Sequence, residues 1–364
     1  MSQHPSTVTL KDFCPSPPPT IYATEQYGVA TATHFGGTWK YLSNEDGSWG
    51  IPLVIRAIPG TSMFDAMTPY GYGGIHVHDS LTEAEAQRLW ADSVSVLAQS
   101  NIVSVFFRFP PFIPAEAGRA IQFPDLSVER ASSTILVNTN ENVDIMSSLT
   151  AKCRKQVRRG QRDGLVVTVL AAEEDNLREF RKLYIASMDR IDAKNEYYFN
   201  ENYFDELRLL GERLRVSQVH DSAGYLVASS LVLLDDEVAH LHLVGADNEV
   251  RGVNNIRIWA LLDWSQKHGI RSVHLGGGVR DRDSLFSFKQ SFGGEAVDFH
   301  VGKLVVDQSK YSALTSMMQG GANLIQESDD SSFFPAYRRA RNRLIGSEKG
   351  NGHLSQQDMR KVEE

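Results

Sequence analysis

The sequence predicts an α/β protein built from two domains. Its 364 residues exceed the length of one typical domain. Short apolar segments typical of strands alternate with longer segments whose apolar residues recur at helical spacing. Hydrophobic residues make up 41% of the chain and charged residues 23%, so both domains can bury a full core.

The first domain is predicted over residues 36–140, after a flexible lead-in at residues 1–35 that contains Pro17-Pro18-Pro19. Its predicted strands cover 50–57, 102–109 and 131–137. A helix over residues 80–98 is expected to begin at Ser80, because Ser80-Leu81-Thr82-Glu83 matches a capping box.

The second domain is predicted over residues 141–315. Its helices are expected at 142–159, 173–191, 202–213, 255–268 and 283–292. Its strands are expected at 165–170, 215–220, 225–234, 237–244, 271–275 and 297–306. Residues 316–364 form a polar C-terminal tail, whose end from Gly346 is predicted to be disordered.

Charge and cysteine content exclude several classes of protein. The net charge of −8 argues against a general nucleic-acid-binding protein, and we expect no DNA partner. Cys14 and Cys153 are too few for a disulfide framework or a cysteine zinc site, which favours a reducing compartment. The N-terminus lacks the pattern of a secretory signal, and no run of about 18 apolar residues occurs. We therefore expect a cytoplasmic protein without stable membrane insertion.

Histidines occur in two pairs at strand spacing, His76 with His78 and His240 with His242. Alternate residues face the same side of a strand, so each pair is compatible with metal binding. Because neither pair has a third candidate ligand nearby, we predict hydrogen-bonded histidines and no metal.

A glycine block is the most informative segment of the chain. Gly276, Gly277 and Gly278 follow the predicted strand 271–275, so a ligand can approach the backbone amides there. The next helix presents Phe288 and Lys289, and a flat ring beside a mobile cation suits a nucleotide or an acyl oxygen. The alternative is a turn with a packed Phe288 and a solvated Lys289.

A basic ridge is predicted on the helix that opens the second domain. Its five cations lie at i, i+1, i+4, i+5 and i+8 and therefore share one face. They are Arg154, Lys155, Arg158, Arg159 and Arg162. In a chain of negative net charge this ridge is a candidate phosphate site, although a solvated helix face explains it equally well.

Three segments together resemble the Fem family: Leu183–Ala193 with Tyr197-Tyr198-Phe199, the glycine block, and Tyr70-Gly71-Tyr72-Gly73-Gly74. Fem enzymes resemble two fused GNAT acyltransferase domains and move an amino acid from aminoacyl-tRNA onto an amine of a cell-wall precursor. Relatives act on antibiotic peptides or are expected to acylate polysaccharide sugars. The resemblance covers residues 40–315 and implies two fused GNAT-like domains, each a mixed, mostly antiparallel sheet flanked by helices, with a cleft between them.

The resemblance also implies roles in donor binding. Lys289 would stabilise the oxyanion that forms when an amine attacks an ester carbonyl. Phe288 would stack on the adenine at the tRNA 3′ end. Arg154, Arg158 and Lys155 would contact phosphates of the donor or the acceptor.

Acceptor roles follow from the same resemblance. Arg190 would hold a phosphate or carboxylate, Tyr197 or Tyr198 would hydrogen-bond the acceptor, and Tyr72 would lie on a loop that lines the cleft. Asp65 is a candidate for binding the acceptor amine. Arg108 stands where some Fem ligases carry an aspartate, and it would meet an anionic acceptor or form a structural ion pair.

The turn before the predicted helix 255–268 helps to distinguish coenzyme A from other acyl donors. In coenzyme A-dependent GNAT enzymes this turn reads Gln/Arg-x-x-Gly-x-Gly/Ala and wraps a pyrophosphate. Gly252 matches, whereas Glu249 and Asn254 depart from the pattern, and Arg251 can offset the carboxylate. A carboxylate there repels pyrophosphate by about 1 kcal/mol or more. Either way, Asn254 or Asn255 is expected to cap the helix.

The sequence therefore predicts an amide-forming acyltransferase without a bound cofactor. Its donor is expected to be the 3′ end of aminoacyl-tRNA. Its acceptor is expected to be an amine of an anionic small molecule or peptide. An acyl-coenzyme A N-acyltransferase acting on an amino sugar or peptide is the alternative, and an inactive module that binds a precursor is a second one.

Overall fold

The computed structural model describes residues 8–15, 17–111, 122–247, 249–320 and 333–339. These residues divide into two compact units. The first comprises the described residues up to Arg130 and those from His300 onward, and the second comprises Ala131–Phe299. The division differs from the predicted domains 36–140 and 141–315, because residues 300–315 belong to the first unit. Both units are α/β, as predicted.

The first unit is built on a mixed sheet. Its strands are β1 (Val8–Lys11), β2 (Thr38–Asn44), β3 (Trp49–Ala57), β4 (Phe64–Met67), β5 (His76–Val77) and β6 (Ile102–Arg108). The helices are α1 (Glu25–Phe35), α2 (Glu83–Gln99) and α9 (Gln308–Gly320). β4 and β6 run parallel, whereas β1, β2, β3 and β4 form an antiparallel series. Trp49 and Trp90 lie at the centre of its core.

The second unit contains the elements that position the candidate site. Its strands are β7 (Leu126–Asn138, which begins in the first unit), β8 (Val166–Ala171), β9 (Leu214–His220), β10 (Leu226–Leu234), β11 (Val238–Ala246) and β12 (Ser272–Gly277). Its helices are α3 (Ile145–Ser148), α4 (Ala151–Arg162), α5 (Glu174–Arg190), α6 (Glu201–Arg208), α7 (Val253–Lys267) and α8 (Ser284–Gln290). The strand β13 (Glu295–Val305) contributes residues to both units.

The sheet of the second unit has the strand order β7-β12-β11-β10-β9-β8. Only β11 and β12 pair in parallel, and the other neighbours in this series are antiparallel. The predicted mixed, mostly antiparallel sheet is thereby confirmed. α3, α4 and α7 bury apolar residues against β7 and β12, among them Ile145, Val157 and Leu261.

Three details differ from the sequence-based prediction. Residues 8–11 and 25–35, assigned to a flexible lead-in, form β1 and α1, and Tyr27 is fully buried. The cap of α2 lies two residues later than predicted, because Thr82 and not Ser80 forms the capping box, with Glu85. The helix predicted over 142–159 is broken, because Thr150 caps a new helix, α4. The predicted disordered end lies outside the described residues.

No helix in the described ranges is both long and apolar enough to span a lipid bilayer.

A buried ion cluster joins distant parts of the first unit. Asp65 on β4 is fully buried, and its Oδ1 accepts from Arg56 Nε at 3.0 Å and Nη2 at 2.8 Å. Its Oδ2 accepts from Arg338, whose Nη2 also donates to Ala57 O at 2.9 Å. The carboxylate is fully engaged, so the prediction that Asp65 binds an acceptor amine is wrong.

We predict that Asp65→Asn lowers the free energy of unfolding by about 3 kcal/mol or more, because it leaves two guanidinium groups without their shared counter-charge. Asp12→Asn is the control. It breaks an ion pair with Lys40 in which the Asp12 side chain is 81% exposed, and should change stability by about 0.5 kcal/mol or less. Urea unfolding followed by tryptophan fluorescence measures both. Equal effects of the two substitutions would contradict the assignment.

Candidate active site

In the second unit β11 and β12 stop pairing with each other before either strand ends, and we call the unpaired stretch between them the opening. The two strands pair over three positions only, ending with His240 opposite His274. β11 then continues to Ala246 and β12 to Gly277 without further pairing to each other. Because the strands are parallel, the opening lies at their carboxyl ends, where ligands of open α/β sheets commonly bind.

Lys289 on α8 extends its ammonium group to the β12 side of this opening. Its Nζ donates to Gly277 O at 2.7 Å. The pKa of Lys289 is lowered to about 8. Desolvation by burial is the main cause, the positive charge of Arg257 adds to it, and the negative charge of Asp283 opposes it. The Lys289 side chain is therefore protonated at neutral pH, and it loses its proton about one pH unit above neutral.

The glycine block is explained largely by packing within the unit. A Cβ on Gly277 would stand 2.8 Å from Ser133 O, and a Cβ on Gly278 would stand 1.9 Å from Asp283 Oδ1. Gly276 has a φ of +72°, which favours glycine. At Gly277 and Gly278 the missing side chains thus make room for the protein itself, and the approach of a ligand to the backbone amides remains a prediction.

Asp283 organises the turn that follows the glycines. Its Oδ2 accepts from Val279 N at 2.7 Å and Arg280 N at 2.9 Å, and its Oδ1 accepts from Phe286 N at 2.8 Å. The carboxylate thereby closes the turn and caps α8. This cap sets the start of α8 and hence the position of Lys289, one and a half turns further on.

Phe288 is partly buried and packs on the core of the second unit. Its ring meets Phe292 edge to face, with 5.4 Å between centroids. The packed ring predicted as one of two alternatives is therefore present, and stacking on an adenine remains a prediction for the part of the ring that stays exposed.

Arg257 on α7 is a site residue that sequence reasoning missed. Its side chain is buried, with 4% exposure, and it donates from Nη1 to Ser230 Oγ at 2.6 Å and from Nη2 to Asn254 Oδ1 at 3.4 Å. Burial lowers the pKa of Arg257 to about 10, so the guanidinium stays charged at neutral pH. The signal in the sequence was a single arginine within the apolar run Ile256–Leu262.

The basic ridge on α4 divides into engaged and open cations. Arg154 donates to Met146 O at 3.1 Å and Ser147 O at 3.0 Å, so it binds the end of α3. Arg159 pairs with Asp163 at 3.3 Å. The three exposed cations without an acidic partner in the described ranges are Lys155, Arg158 and Arg162. Of the two arginines predicted to bind phosphate, Arg154 is already hydrogen-bonded to α3, whereas Arg158 is exposed and has no acidic partner among the described residues.

Arg190 and Tyr198 lie near the end of β11. Arg190 donates to Ala246 O, the last carbonyl of β11, and to Ser187 Oγ at 3.4 Å. Tyr198 donates to Asp189 Oδ1 at 3.1 Å. Both side chains are thus held by protein atoms, and their predicted contacts with substrate remain predictions.

The turn before α7 differs in one respect from the expectation. Gly252, with a φ of +77°, is the N-cap and offers no side-chain acceptor. Asn254 accepts from Arg257, and Asn255 donates to Cys153 Sγ at 3.5 Å, so the prediction that one of them caps the helix is wrong. Glu249 is exposed, and its backbone N donates to Asp247 Oδ1 at 3.0 Å, which places two carboxylates in this turn.

Two predicted acceptor residues belong to the first unit. The Arg108 guanidinium lies 5.7 Å from the ring centroid of Tyr70 and 5.6 Å from that of Phe106. Among the described residues it has no carboxylate partner, so the structural ion pair considered for it is absent there. Burial raises the pKa of Tyr72, and its ring meets Tyr22 edge to face at 5.6 Å.

The histidines of the pair His240 and His242, in the second unit, make hydrogen bonds to other side chains. His240 Nε2 lies 3.2 Å from Asp235 Oδ2, and His242 Nε2 lies 2.6 Å from Tyr203 Oη. The described residues contain no group of three or more histidine, cysteine, aspartate or glutamate side chains arranged to hold a metal.

Comparison with known proteins gives the same fold. Residues 147–290, which contain α4 to α8, match the family described as acetyltransferase (GNAT) domain. No curated protein matches the chain. FemX is similar in structure, with a TM-score of 0.64 and 14% identity over 81% of this chain and 95% of FemX.

Two further solved structures are also similar. L-PGS from Bacillus licheniformis has a TM-score of 0.54 and 13% identity, over 87% of this chain and 92% of that one. The C-terminal domain of a putative lysylphosphatidylglycerol synthetase from Agrobacterium fabrum has a TM-score of 0.53 and 16% identity, over 81% and 94%. The fold is therefore Fem-like, with fused GNAT-like domains, and residues 147–290 match the acetyltransferase (GNAT) domain family. We conclude from this match and this fold that the chain is an acyltransferase.

Proposed function

We propose that the protein transfers an amino acid from aminoacyl-tRNA to an amine of a cell-wall precursor or of a peptide natural product. The observation that carries the proposal is the Lys289 ammonium at the opening between β11 and β12. A cation fixed by a backbone carbonyl, in a site from which water is partly removed, suits a reaction in which an oxyanion develops.

The proposed reaction is the aminolysis of an ester. The acceptor nitrogen attacks the carbonyl carbon of the aminoacyl ester, a C–N bond forms, and the C–O bond to the 3′ oxygen of tRNA breaks. Lys289 stabilises the negative charge on the carbonyl oxygen. No covalent enzyme intermediate is required, because holding the amine and the ester together supplies much of the rate.

The charges of the second unit support tRNA as the donor. Lys155, Arg158 and Arg162 on α4 are exposed and can contact phosphates. Asp247 and Glu249, in the turn before α7, disfavour a pyrophosphate at that helix N-terminus. Because charged tRNA is a cytoplasmic molecule, we infer a cytoplasmic reaction.

Acyl-coenzyme A is the second candidate donor. The match of residues 147–290 to an acetyltransferase (GNAT) domain and the glycine N-cap at Gly252 favour it. In that case the leaving atom is the thiol sulfur, and Lys289 keeps its role at the carbonyl oxygen.

Arg108 in the first unit supports an anionic acceptor. Its guanidinium lies beside two aromatic rings, and no carboxylate in the described part of the chain neutralises it. A phosphate or carboxylate of the acceptor would supply that charge. Tyr72, Arg190 and Tyr198 remain candidates for further contacts.

Lys289→Ala should lower kcat/KM by about 10²-fold or more, because one preorganised donor to the oxyanion is lost.

The wild-type rate should fall as the pH rises through about 8, since the protonated form of Lys289 is the active one. Lys289→Arg should remove this alkaline limb, because a guanidinium keeps its proton. Lys267→Ala, which removes an exposed lysine paired with Asp263, is the control for a lost positive charge.

Lys155→Ala combined with Arg158→Ala should weaken binding of charged tRNA about tenfold and should make the salt dependence of binding shallower. Arg159→Ala is the control on the same helix, because its guanidinium already pairs with Asp163. Calorimetry with aminoacyl-tRNA and, separately, with acetyl-coenzyme A measures both donors. Saturable binding of acetyl-coenzyme A without any preference for charged tRNA would assign the protein to the acyl-coenzyme A enzymes.

A further inference from the structure

A cavity of about 410 Å³ lies where α4, β8 and α7 meet in the second unit. Its wall includes Gln161 of α4, Val167 and Val169 of β8, and Trp259 and Trp264 of α7. None of the residues that line it belongs to β11 or β12. Among the described strands β8 pairs with β9 alone, so no further strand there covers the edge beside the cavity. A cavity of this volume can hold a small organic group.

Two indole rings form the aromatic part of the wall. Trp259 and Trp264 are both partly buried, and the Trp264 ring stacks on His268 with 4.2 Å between centroids. Neither indole N–H donates a hydrogen bond to another described residue, although most buried indoles have such a partner. A flat apolar surface with a donor at its edge suits a flat ring that carries acceptor atoms, and a nucleobase is such a ring.

The charges beside the cavity favour an anionic occupant. The exposed cations of α4 that have no acidic partner in the described part of the chain recur at i, i+3 and i+7 and form one stripe. They are Lys155, Arg158 and Arg162. Gln161 lies one helical turn after Arg158, so the stripe reaches the cavity. Asp263 also lines the cavity, but Lys267 neutralises it at 2.7 Å.

The helix α4 connects this cavity with the helix that carries Lys289. The N-cap of α4, Thr150, donates from its backbone N to Ser291 O at 2.9 Å, two residues beyond Lys289. α4 has 12 residues and is therefore about 18 Å long. Successive cations of the stripe are separated by about 4.5 and 6 Å along the axis, which is of the order of the spacing of phosphates in an extended strand. The stripe thus leads from the end of α8 to the indole rings.

Resting on the function proposed above, we propose that the cavity binds an unpaired nucleotide of the tRNA donor, one that precedes the terminal adenosine. Its base stacks on Trp259, and the phosphates between this base and the terminal adenosine lie along the stripe on α4. The terminal adenosine stays beside Lys289. The single-stranded 3′ end suits this path, because it combines flat bases with regularly spaced negative charges and is not held in the stem of the tRNA.

The test removes one base at a time from the RNA. Each probe is a tRNA that carries its amino acid through a stable 3′-amide and has one abasic nucleotide at an unpaired position before the terminal adenosine. One abasic position should weaken binding to the wild-type protein about fivefold or more, as expected for the loss of one stacked base. Filter binding measures the Kd of each probe.

Trp259→Leu identifies the side chain on which the base stacks. It should weaken binding of the intact tRNA about fivefold or more, and the sensitive abasic position should then cause no further loss, because base and ring form one interaction. Trp259→Phe should retain most of the affinity. Tyr225→Leu is the control, since Tyr225 is 72% exposed, lies outside the cavity and should not affect binding. The abasic probes test the wild-type protein, so a folding defect in Trp259→Leu does not affect that part of the experiment.

The outcomes separate this site from the proposed function. Equal binding of the intact tRNA and every abasic probe would overturn the proposal, as would an undiminished abasic effect in Trp259→Leu. An unrelated single-stranded RNA that binds as tightly as the tRNA, with the same dependence on Trp259, would overturn the assignment of the cavity to the donor. If no charged tRNA binds at all, the proposed function fails and this inference fails with it. If amino-acid transfer occurs but is insensitive to every abasic position, the inference alone fails.

Discussion

The parallel pairing of β11 and β12 ends at His240 and His274, and the proposed chemistry depends on that ending. Paired strands fill each other's hydrogen bonds and leave no room for a substrate, whereas strands that separate leave backbone groups and side chains accessible. Gly277, on the separated part of β12, supplies the carbonyl oxygen that holds Lys289. One interrupted strand pair therefore creates the opening and positions the cation at its edge.

The charges around this opening are not balanced locally. Arg257 and Lys289 are both cationic at neutral pH, and Asp283 is occupied in capping α8. Such an arrangement disfavours the folded state but favours the appearance of negative charge during a reaction. In the first unit the charges are balanced directly, because the buried Asp65 neutralises Arg56 and Arg338. Under the proposed function, the imbalance at Lys289 would serve the reaction.

The order of elements in the second unit could be predicted well from the sequence, because its strands and helices have clear apolar periods. Caps were harder to predict: a capping box was expected at Ser80 but is formed by Thr82 and Glu85. Competing serine and threonine residues two positions apart offer the backbone nearly equivalent acceptors, so spacing alone does not choose between them. α1 was missed because its apolar face is made of small residues such as Ala30, which carry a weak periodic signal.

The candidate site was predicted less completely than the fold. Lys289 was identified because the sequence resembles the Fem family, and the structure adds that its ammonium group donates to Gly277 O. Arg257 could not be assigned a role from the sequence, since the absence of a carboxylate partner depends on tertiary packing. The packing reason for Gly277 and Gly278 could not be predicted, because a clash with Ser133 O or Asp283 depends on how the chain folds.

The central claim, that the opening between β11 and β12 holds the tRNA 3′ end, can be tested most directly by photo-crosslinking. A charged tRNA whose terminal adenosine carries a photoreactive azide would be bound to the full-length protein, irradiated, and the labelled peptide identified by mass spectrometry. The account predicts labelling within residues 276–292, around Phe288 and Lys289, and loss of that label when unmodified charged tRNA is added in excess. Labelling confined to other segments, or none under conditions where an acyl-coenzyme A analogue labels residues 276–292, would contradict it.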